Sequence, residues 1–476
     1  MSLAIVNGGG LVQTGGLLLS SYLIKQKRGM RLPDTDYQQA LDYIYSFIDY
    51  ERTPRPRDPV HYDLRRMDEL LERLGNPHLK TRTVHIAGTK GKGSVAAMIA
   101  SVLTASGYTT GLFTSPHLHV FNERIRVDDR LISEDEVVAL VEKIKPEVAA
   151  VNEKATYGQI TTFELITALG FVFFEMKGAD FQVIEVGLGG RLDATNIVRP
   201  EVCVITSISR DHTEVLGEDL AGIAAEKAGI IKSDSPVVTA PQIAEVDAVI
   251  EKACRSTGSK LVRVGSDVTW RSSGFDSGRQ ALLVTGRLGS YDVSIPLLGQ
   301  HQLINGAVAV GALEVLTEKG YKISAESIAA GLAKVNWPGR LQVLNREPLV
   351  VVDGAHNPES ARLLKQSLEE YFDFEKAILI LGVSADKDIA GIVGELLPLF
   401  DEVIATHSIH PRALATIPIL AEFRRQGVEV RETEDISIAL PLALDMAGDR
   451  DMICVTGSLF VVAGAIEQVE ALGLTT

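Results

Sequence analysis

The sequence is poor in cysteine, which limits the chemistry that this residue can provide. Three cysteines occur in 476 residues, namely Cys203, Cys254 and Cys454. They lie far apart and form no CxxC pair or other metal-binding spacing, so a disulfide-stapled fold and a cysteine-ligated metal site are excluded. Cys203 and Cys454 each interrupt a strand-like run of apolar residues. We therefore predict buried thiols in a reducing compartment.

Long apolar runs are also absent. No segment approaches the roughly 20 consecutive apolar residues that are needed to span a bilayer. A leucine run at 17–19 is followed, not preceded, by basic residues at 25, 27 and 28, which is the reverse of a secretory signal peptide. The sequence therefore predicts a protein of the cytoplasm that has no membrane partner.

The chain lacks an excess of positive charge. It has 47 lysines and arginines against 62 aspartates and glutamates, which gives a formal net charge of −15. General binding to nucleic acid requires basic residues that neutralise many phosphates, so we predict no nucleic-acid partner. An anionic ligand has to be bound by a few local groups instead.

One glycine-rich loop has the composition of such a local site. The apolar run 84–87 leads into Gly88, and residues with helical periodicity follow the glycines. A turn of this kind directs backbone N–H groups and a helix N-terminus towards one point, which attracts phosphate, and Lys92 adds a positive charge. The strict phosphate-loop pattern is not met, because Ile86 and Gly93 occupy two of its defining positions. A plain strand-to-helix turn stays open as the alternative.

The length of the chain predicts more than one domain. Residues 1–33 are rich in glycine and lack periodicity, so we interpret them as a loose extension. Strand-like and helical segments then alternate through 34–337 and, after a break at 336–340, through 338–476. This pattern predicts an α/β fold with two doubly wound domains, of which the second is the smaller. The clearest strand-like runs are 181–185, 349–352, 377–381, 402–405 and 452–456.

Several polar side chains directly follow predicted strands, at the sheet edge where open α/β folds bind ligands. Glu185 ends a strand that reads as buried on both faces, and a carboxylate there needs a cation. That cation is either Mg²⁺ bound to nucleotide phosphates or the guanidinium of Arg191. Asp211 and His212 follow another strand. His212 is either a metal ligand or phosphate contact that Asp211 positions, or the pair is part of a cap or turn. Ser115 follows a third strand and, taken alone, is typical of a turn.

Two further groups of residues are unusual for their surroundings. Lys227 lies in an otherwise apolar stretch, where it snorkels to solvent, pairs with Glu226 or is chemically modified. In the second domain, Asn357 is predicted to cap a helix. The cap does not explain Asp353 or His356, which are expected at the same ligand-binding edge.

Together these motifs resemble the Mur ligase superfamily and, within it, the branch of folylpolyglutamate synthases and dihydrofolate synthases. The resemblance covers residues 36–476. It implies an N-terminal ATPase domain that contains the phosphate loop and a smaller Rossmann-like C-terminal domain. The segments that carry it are 88–94, 114–118, 121–125, 161–164, 185–196, 211–212, 226–229, 299–305, 338–340 and 353–358.

The resemblance implies a role for each matching residue, and these roles fall into four groups. The catalytic groups would be Lys92, Lys227, His212 and Glu185. Two Mg²⁺ ions would be ligated by Ser115, Glu185, His212 and a carbamylated Lys227. ATP would contact Thr89, Lys90, Gly91, Lys92, Gly93, Ser94, Asn305, Arg340 and Asp353. The pterin or folate would contact Thr161, Thr162, Phe163, Glu164, Leu192, Asp193 and Ala194, and the glutamate would contact His356 and Ser458.

The implied reaction is an ATP-dependent ligation that forms a carbon–nitrogen bond. A carboxylate of dihydropteroate or of a reduced folate would be phosphorylated to an acyl phosphate, which the amine of L-glutamate then attacks. A Mur-type amide ligase that acts on a cell-wall precursor is the alternative, and a monomer is expected in either case.

Two departures from the family pattern bear on the site. Lys90 replaces an asparagine, and Ser209 with Arg210 replaces the small residues before the Asp-His pair.

Overall fold

A computed structural model describes residues 35–49, 62–211, 213–276, 278–385, 387–408 and 413–474. The predicted extension 1–33 and the candidate metal ligand His212 lie outside these residues. Within them the chain forms two α/β units and a small antiparallel sheet. The predicted α/β architecture is therefore confirmed, whereas the division into 34–337 and 338–476 remains a prediction.

The first unit is built on an eight-stranded sheet. Its strands are β1 (Arg82–Ala87), β2 (Thr110–Phe113), β3 (Ile125–Val127), β4 (Arg130–Leu131), β5 (Phe181–Glu185), β6 (Pro200–Ile205), β7 (Val237–Thr239) and β8 (Leu261–Arg263). In space they follow the order β4-β3-β2-β5-β1-β6-β7-β8. The six neighbouring strands β2-β5-β1-β6-β7-β8 are parallel. The strand β3 pairs antiparallel with both β2 and β4. The carboxyl ends of β5, β1 and β6 therefore meet at one edge.

Helices cover both faces of this sheet. They are α1 (Thr35–Tyr45), α2 (Leu64–Arg73), α3 (Lys92–Ala105), α4 (Glu134–Lys154), α5 (Thr162–Met176), α6 (Thr213–Leu216), α7 (Leu220–Ala228), α8 (Ala244–Thr257), α9 (Gln300–Glu318) and α10 (Ala325–Lys334). Alternate side chains of β1 and β6 point to opposite faces. Val84 and Ile86 pack with α3 and α9, whereas Cys203 and Ile205 pack with α7 and α8. Both faces of the central strands are therefore covered by helices, and most of their side chains are apolar.

A small antiparallel sheet lies between the two units in sequence. It consists of β9 (Thr269–Phe275), β10 (Gln280–Thr285) and β11 (Ser290–Ile295), with β10 in the centre. Glu314 of α9 is fully buried against the β10–β11 turn. Its carboxylate accepts from Arg287 N and Leu288 N, each at 2.8 Å. These bonds satisfy a buried charge and hold the turn on α9.

The second unit has a six-stranded sheet. Its strands are β12 (Gln342–Arg346), β13 (Leu349–Val352), β14 (Ala377–Leu381), β15 (Glu402–Ala405), β16 (Arg431–Glu432) and β17 (Met452–Thr456), in the spatial order β12-β13-β17-β14-β15-β16. All pairs are parallel except that of β12 with β13. The helices are α11 (Pro358–Tyr371), α12 (Ile389–Leu396), α13 (Thr416–Arg425), α14 (Ile436–Met446) and α15 (Leu459–Ala471). Four of the strands coincide with the predicted runs.

The three cysteines are free and buried, as the sequence predicts. Burial raises the pKa of Cys203 to about 12 and that of Cys254 to about 11, so both thiols stay protonated at neutral pH. No helix in the described part of the chain is both long and apolar enough to cross a membrane.

The second unit contacts both the small antiparallel sheet and the first unit. The Tyr371 hydroxyl donates to Gln280 Oε1 at 2.7 Å, and the centroid of its ring lies 4.5 Å from that of Phe275. His119 makes a second contact, because its Nε2 lies 3.2 Å from the carbonyl oxygen of Ala463. The other ring nitrogen of His119 lies 3.5 Å from the Glu123 carboxylate. A protonated His119 can therefore donate to both units at once.

We expect this contact to make the stability of the chain depend on pH. Burial alone would lower the pKa of His119, but the hydrogen bond and charge of Glu123 and the charge of Glu467 outweigh it, so the pKa lies above 6.5. Folding thus favours the protonated ring. Its contribution is fully present below about pH 6.5 and is lost as the pH rises through the raised pKa.

Urea titrations of the wild-type chain and of His119→Gln check this expectation between about pH 5.5 and about pH 8.5. The two chains share every other titrating group, so the difference between their free energies of unfolding isolates His119. That difference should shrink as the pH rises. A difference that stays constant over the whole range would contradict the role of the protonated ring.

Candidate active site

The phosphate loop connects β1 to α3, as the sequence predicts. The backbone N–H groups of Thr89 and Lys90 donate to Ser207 O at 2.8 and 3.2 Å, which ties the loop to the segment after β6. Gly91 is the N-cap residue of α3 and has a φ of 87°, a left-handed conformation that favours glycine. The N-terminus of α3 and its first residue, Lys92, therefore lie at the carboxyl edge of the sheet.

Asn305 of α9 is packed against this loop. Its Nδ2 donates to Gln302 Oε1 at 2.9 Å, and Gln302 Nε2 donates to Ser94 Oγ at 3.5 Å. A Cβ atom at Gly91 would lie 2.4 Å from Asn305 Oδ1, so a larger residue would push the amide away. Two predicted ATP contacts that are distant in sequence, Ser94 and Asn305, are thus held close together.

Glu185 lies at the end of β5 beside Ser115, as predicted. The side chain is buried, and its Oε2 accepts from Ser115 N at 3.2 Å. Burial raises the pKa of Glu185, while the nearby positive charge of Lys92 opposes this effect. The alternative of an ion pair with Arg191 is wrong, because the Arg191 guanidinium contacts the Glu226 carboxylate at 2.7 Å. A buried carboxylate at the phosphate loop favours a cation bound beside it.

Lys227 of α7 lies beneath the loop. Its Nζ donates to Gly88 O at 2.9 Å, and the residue is only 4% exposed. The neighbouring Glu226 accepts from Arg191 Nε at 2.8 Å. Lys227 therefore does not snorkel to solvent but supports the phosphate loop from the interior.

The second domain contributes Arg340 and Asp353 to the same site. Asp353 Oδ2 accepts from Leu341 N and Oδ1 accepts from Ala355 N, each at 2.8 Å, so the carboxylate fixes the strand β13 to the segment after the domain break. The charge of Arg340 opposes the rise in the pKa of Glu185, so the guanidinium acts across the domain boundary. Both residues line the cleft that also contains the phosphate loop.

His356 approaches the first domain from the same side. Its Nδ1 lies 2.8 Å from the carbonyl oxygen of Gly354. Burial, together with the positive charge of Lys90, lowers the pKa of His356 to about 3, so the ring is neutral. Lys90 Nζ in turn donates to Asp211 Oδ2 at 2.7 Å. His356, a predicted contact of the substrate glutamate, thus lines the same cleft as the phosphate loop.

Two predicted residues cap helices of the second domain. Asn357 Oδ1 accepts from Ser360 N at 2.9 Å at the start of α11, which confirms the predicted cap. Ser458 Oγ accepts from Val461 N at 3.2 Å at the start of α15. Ser458 therefore has a local structural role in addition to any contact with a ligand.

The predicted folate segment 161–164 is also a helix start. Thr161 Oγ1 accepts from Glu164 N at 3.3 Å, and Glu164 Oε2 accepts from Thr161 N at 2.8 Å, which is a capping box for α5. Glu164 Oε1 lies 3.0 Å from Nη2 of the buried Arg66. The Thr162 hydroxyl donates to backbone oxygens near α1, at 3.1 Å from Phe47 O, so it points away from the ligand side.

A hydrogen-bond chain that the sequence analysis missed supports Asp193. His85 Nε2 lies 2.9 Å from Thr195 Oγ1, and Thr195 Oγ1 donates to Asp193 Oδ1 at 2.6 Å. Asp193 Oδ2 accepts from Leu188 N at 3.0 Å. Burial lowers the pKa of His85 to about 3, so the ring is neutral. The sequence offered one signal for this chain, namely a histidine, His85, between the apolar residues Val84 and Ile86. The analysis also missed Arg66, for which its own segment of sequence gives no comparable signal.

Most of the predicted site residues line one open cleft of about 1470 Å³ between the two domains. Thr162 and Lys227 are buried outside this lining, and His212 lies outside the described residues. The predicted residues that line the cleft are Thr89, Lys90, Gly91, Lys92, Gly93, Ser94, Ser115, Thr161, Phe163, Glu164, Glu185, Leu192, Asp193, Ala194, Asn305, Arg340, Asp353, His356 and Ser458.

The possible metal ligands of the cleft are dispersed along its walls. Among the residues that the structure describes, no cluster of three or more His, Cys, Asp or Glu side chains could hold a metal ion. Mg²⁺, however, usually takes one or two protein oxygens and completes its shell with phosphate and water. The carboxylate of Glu185 and the hydroxyl of Ser115 fit such an ion.

An α/β domain with a lysine-containing phosphate loop, facing a smaller α/β domain across a cleft, defines a nucleotide-dependent ligase of the Mur type. Two family models match the chain in the corresponding order. The Mur ligase middle domain matches residues 86–313, and the Mur ligase, glutamate ligase domain matches residues 339–459.

Individual relatives identify the branch. The dihydrofolate synthase/folylpolyglutamate synthase of Mycobacterium tuberculosis is 37% identical over 91% of this chain and 94% of its own length, and that of Bacillus subtilis is 36% identical over 90% and 98%. The solved folylpolyglutamate synthase of M. tuberculosis complexed with ADP has a TM-score of 0.84 at 36% identity, covering 90% of this chain and 97% of that chain. Escherichia coli FolC in complex with DHPP and ADP has a TM-score of 0.81 at 28% identity, covering 93% and 100%. This chain belongs to the dihydrofolate synthase/folylpolyglutamate synthase family, which confirms the resemblance.

Proposed function

We propose that the chain is an ATP-dependent ligase that joins L-glutamate to dihydropteroate, to reduced folates or to both, through an acyl phosphate. The observation that supports this proposal is that Lys92 and Glu185 of the first domain and Arg340 and Asp353 of the second line one cleft. The cations Lys92 and Arg340 can bind a polyphosphate from both domains, and the Glu185 carboxylate can hold Mg²⁺ that is bound to it. The names of the relatives, and the ligands in the titles of their solved structures, support the choice of substrates.

The phosphate loop would bind the ATP phosphates and promote their transfer. The ammonium of Lys92 and the N-terminus of α3 stabilise the negative charge that spreads over the transferred phosphoryl group. Asn305, from α9, and Arg340 with Asp353, from the second domain, would bind the nucleotide from the other sides. Binding by both domains would reduce the access of water to the phosphoryl group, which would protect an acyl phosphate from hydrolysis.

We further propose that Mg²⁺ binds at Glu185 and Ser115, with His212 and a carbamylated Lys227 contributing to a second ion. Magnesium neutralises phosphate charge when it is bound. Carbamylation joins the neutral Lys227 amine to CO₂ and gives a carboxylate that can ligate a metal. The modified nitrogen keeps one N–H, so it can still donate to Gly88 O.

The pterin or folate would bind beside the phosphate loop, against Phe163, Leu192 and Ala194. The ring of Phe163 is supported by Phe113, and their centroids are 6.2 Å apart. Such a flat apolar surface suits an aromatic ring system. Asp193, held by its hydrogen bond from Leu188 N, adds a polar acceptor at the same wall.

The chemistry then follows in two balanced steps. A carboxylate oxygen of the pterin substrate attacks the γ-phosphorus of ATP, and ADP leaves. The amine of glutamate attacks the acyl carbon, the bond to the phosphate oxygen breaks, and an amide and inorganic phosphate are formed. The phosphate transfer supplies the free energy that direct condensation of an ammonium with a carboxylate lacks.

Release of phosphate and incorporation of labelled glutamate test the proposal. The purified chain is supplied with ATP and Mg²⁺ and with dihydropteroate or tetrahydrofolate, each with and without glutamate. We expect amide product with at least one pterin substrate, and only when glutamate is present. A nucleotide-linked cell-wall precursor serves as the competing acceptor, and its use in preference to both pterin substrates would overturn the proposal.

We also propose that the enzyme works as a monomer in the cytoplasm. Both walls of the cleft come from one chain, so no partner subunit is needed to complete it. The three buried thiols suit a reducing compartment. Sedimentation at the protein concentration of the activity assay tests the oligomeric state, and a stable dimer would contradict it.

A further inference from the structure

Trp337 lies in the segment 335–341, which connects α10 to β12, and its ring contacts the phosphate loop. A Cβ atom at Gly93 would lie 2.6 Å from Trp337 Cζ2 and 3.1 Å from Cε2. Both distances are shorter than a van der Waals contact between carbon atoms, so the ring fits because residue 93 is glycine. Gly93 also lines the cleft, between Lys92 and Ser94. The loop residue that faces the cleft on one side is therefore packed against the linker tryptophan on another.

The first domain holds the Trp337 ring on a second side as well. The guanidinium of Arg126, in β3, lies 5.5 Å from the centroid of the ring, which is within the range of a cation–π contact. Arg126 Nε donates to Glu123 O at 3.1 Å, so the guanidinium is itself held in place. The tryptophan also packs against the buried core that contains α3 and α9. Trp337 is therefore fixed to the first domain, although it belongs to the linker.

The residues that follow Trp337 are fixed to the second domain. Gly339 has a φ of 76°, and its carbonyl oxygen accepts from Gly354 N at 3.1 Å. Gly339 N donates to Gln342 Oε1 at 2.9 Å. Arg340 Nη1 lies against Gly354, where a Cβ atom would be 2.6 Å from it, and it donates to Gly339 O at 3.1 Å. The guanidinium of Arg340 thus has a set position on the second domain.

The connection between these two fixed points is short. The three residues from Trp337 to Arg340 span at most about 11 Å, and Pro338 between them has a locked φ. These three residues also line one small cavity of about 30 Å³. Among the described residues that line the large cleft, Gly93 and Arg340 are present and Trp337 is not. Trp337 can therefore act on a nucleotide in the cleft through Gly93 and Arg340, which it connects.

We propose that Trp337 is a positioning residue of the ligase, a proposal that rests on the proposed function above. Its ring, packed against Gly93, fixes the distance between the phosphate loop and Arg340. A guanidinium binds phosphate oxygens through hydrogen bonds of narrow geometry, so a displaced Arg340 loses much of its contribution. The tryptophan therefore sets the geometry in which the two domains bind one polyphosphate.

A double-mutant cycle tests whether Trp337 acts through Arg340. Trp337→Leu keeps an apolar side chain but removes the ring that contacts Gly93, and Arg340→Met removes the guanidinium. We expect Trp337→Leu to lower kcat/KM for ATP about 30-fold in the wild-type background and less than about threefold in the Arg340→Met background, because residues that act as a unit are not additive. Trp337→Phe, which restores a ring, should recover most of the loss.

The matched control is Trp270→Leu, because Trp270 in β9 packs against the same core and is not among the described residues that line the cleft. Its kcat/KM for ATP should stay within about twofold of wild type. An equal loss from Trp337→Leu in both backgrounds would overturn the proposal, since the tryptophan would then act independently of Arg340. An unchanged kcat/KM in Trp337→Leu would overturn it as well.

Fluorescence gives a second measurement, which depends neither on the folding of Trp337→Leu nor on a pterin substrate. The chain has two tryptophans, so in Trp270→Phe all tryptophan emission comes from Trp337. Emission is recorded during titration with the ATP analogue AMPPCP and Mg²⁺, while nucleotide binding is measured separately by isothermal titration calorimetry. We expect the emission to change in step with binding, and an emission that stays constant at saturation would overturn the proposal. A wild-type chain that forms no amide product, whatever its emission shows, would refute the proposed function instead, which separates the two failures.

Discussion

Replacement of Lys92 by alanine should reduce kcat for glutamate ligation by about 1000-fold while the chain remains folded. Lys92 is the first residue of α3 and lines the cleft, and its positive charge acts on the buried carboxylate of Glu185. Loss of the ammonium removes a fixed charge from the place where the transferred phosphoryl group develops its own. The expected effect is therefore on the phosphoryl transfer. The rate of acyl phosphate formation without glutamate, measured by trapping the acyl phosphate with hydroxylamine as the hydroxamate, should fall to the same extent.

Two further variants make the Lys92 experiment specific. Lys252→Ala removes an exposed lysine from α8, and both its activity and its thermal midpoint should match wild type. Lys92→Arg keeps the charge but changes its shape, so it should retain more activity than Lys92→Ala. Circular dichroism of all three variants reports on folding. If Lys92→Ala kept more than about a tenth of the wild-type kcat, the assigned role of the phosphate loop would be wrong.

The secondary structure was predictable wherever a strand is buried on both faces. β13, β14, β15 and β17 coincide with mainly apolar runs in the sequence, because a parallel strand that is buried on both faces favours apolar residues at successive positions. In the first sheet the parallel strands β5 and β1 are adjacent, so their carboxyl ends share one edge and Glu185 lies at the same edge as the phosphate loop. The positions of residues at the carboxyl ends of parallel strands follow from the order and direction of the strands, so they can be predicted without knowledge of individual side-chain contacts.

The contacts that the sequence did not reveal join residues that are remote in the chain. Lys90 and Asp211 are 121 positions apart, and Arg66 and Glu164 are 98 positions apart. Each member is an ordinary polar residue in its own segment. Only the packing of the elements brings the partners together, so no local pattern could have indicated either pair.

The segment 161–164 shows how a motif can carry two roles. The sequence resemblance assigned all four residues to the pterin, yet in the structure Thr161 and Glu164 close the start of α5, and the Thr162 hydroxyl points towards α1. Glu164 also compensates the charge of Arg66. These residues can therefore contribute to stability as well as to binding. A role in stability changes the free energy of unfolding, whereas a role in binding changes KM for the pterin substrate.

Replacement of Glu164 by alanine should lower the free energy of unfolding by about 3–5 kcal/mol. The carboxylate and the Arg66 guanidinium are both buried, with side-chain exposures of 8% and 4% and a separation of 3.0 Å. Removal of the carboxylate leaves a buried cation without this counter-charge and also removes the cap on Thr161 N. Burial raises the pKa of Glu164, whereas the charge of Arg66 opposes this effect. Urea titration followed by circular dichroism measures the loss.

A double variant, Arg66→Met with Glu164→Met, separates the charge effect from the loss of packing. With both charges gone no buried ion remains uncompensated, so the double variant should regain a large part of the stability that Glu164→Ala loses. Glu164→Gln keeps an oxygen that can accept from Thr161 N and should fall between the two. A loss below about 1 kcal/mol for Glu164→Ala would mean that the pair contributes little. In that case a rise in KM for the pterin substrate in Glu164→Gln, at unchanged stability, would assign Glu164 to the ligand and not to the fold.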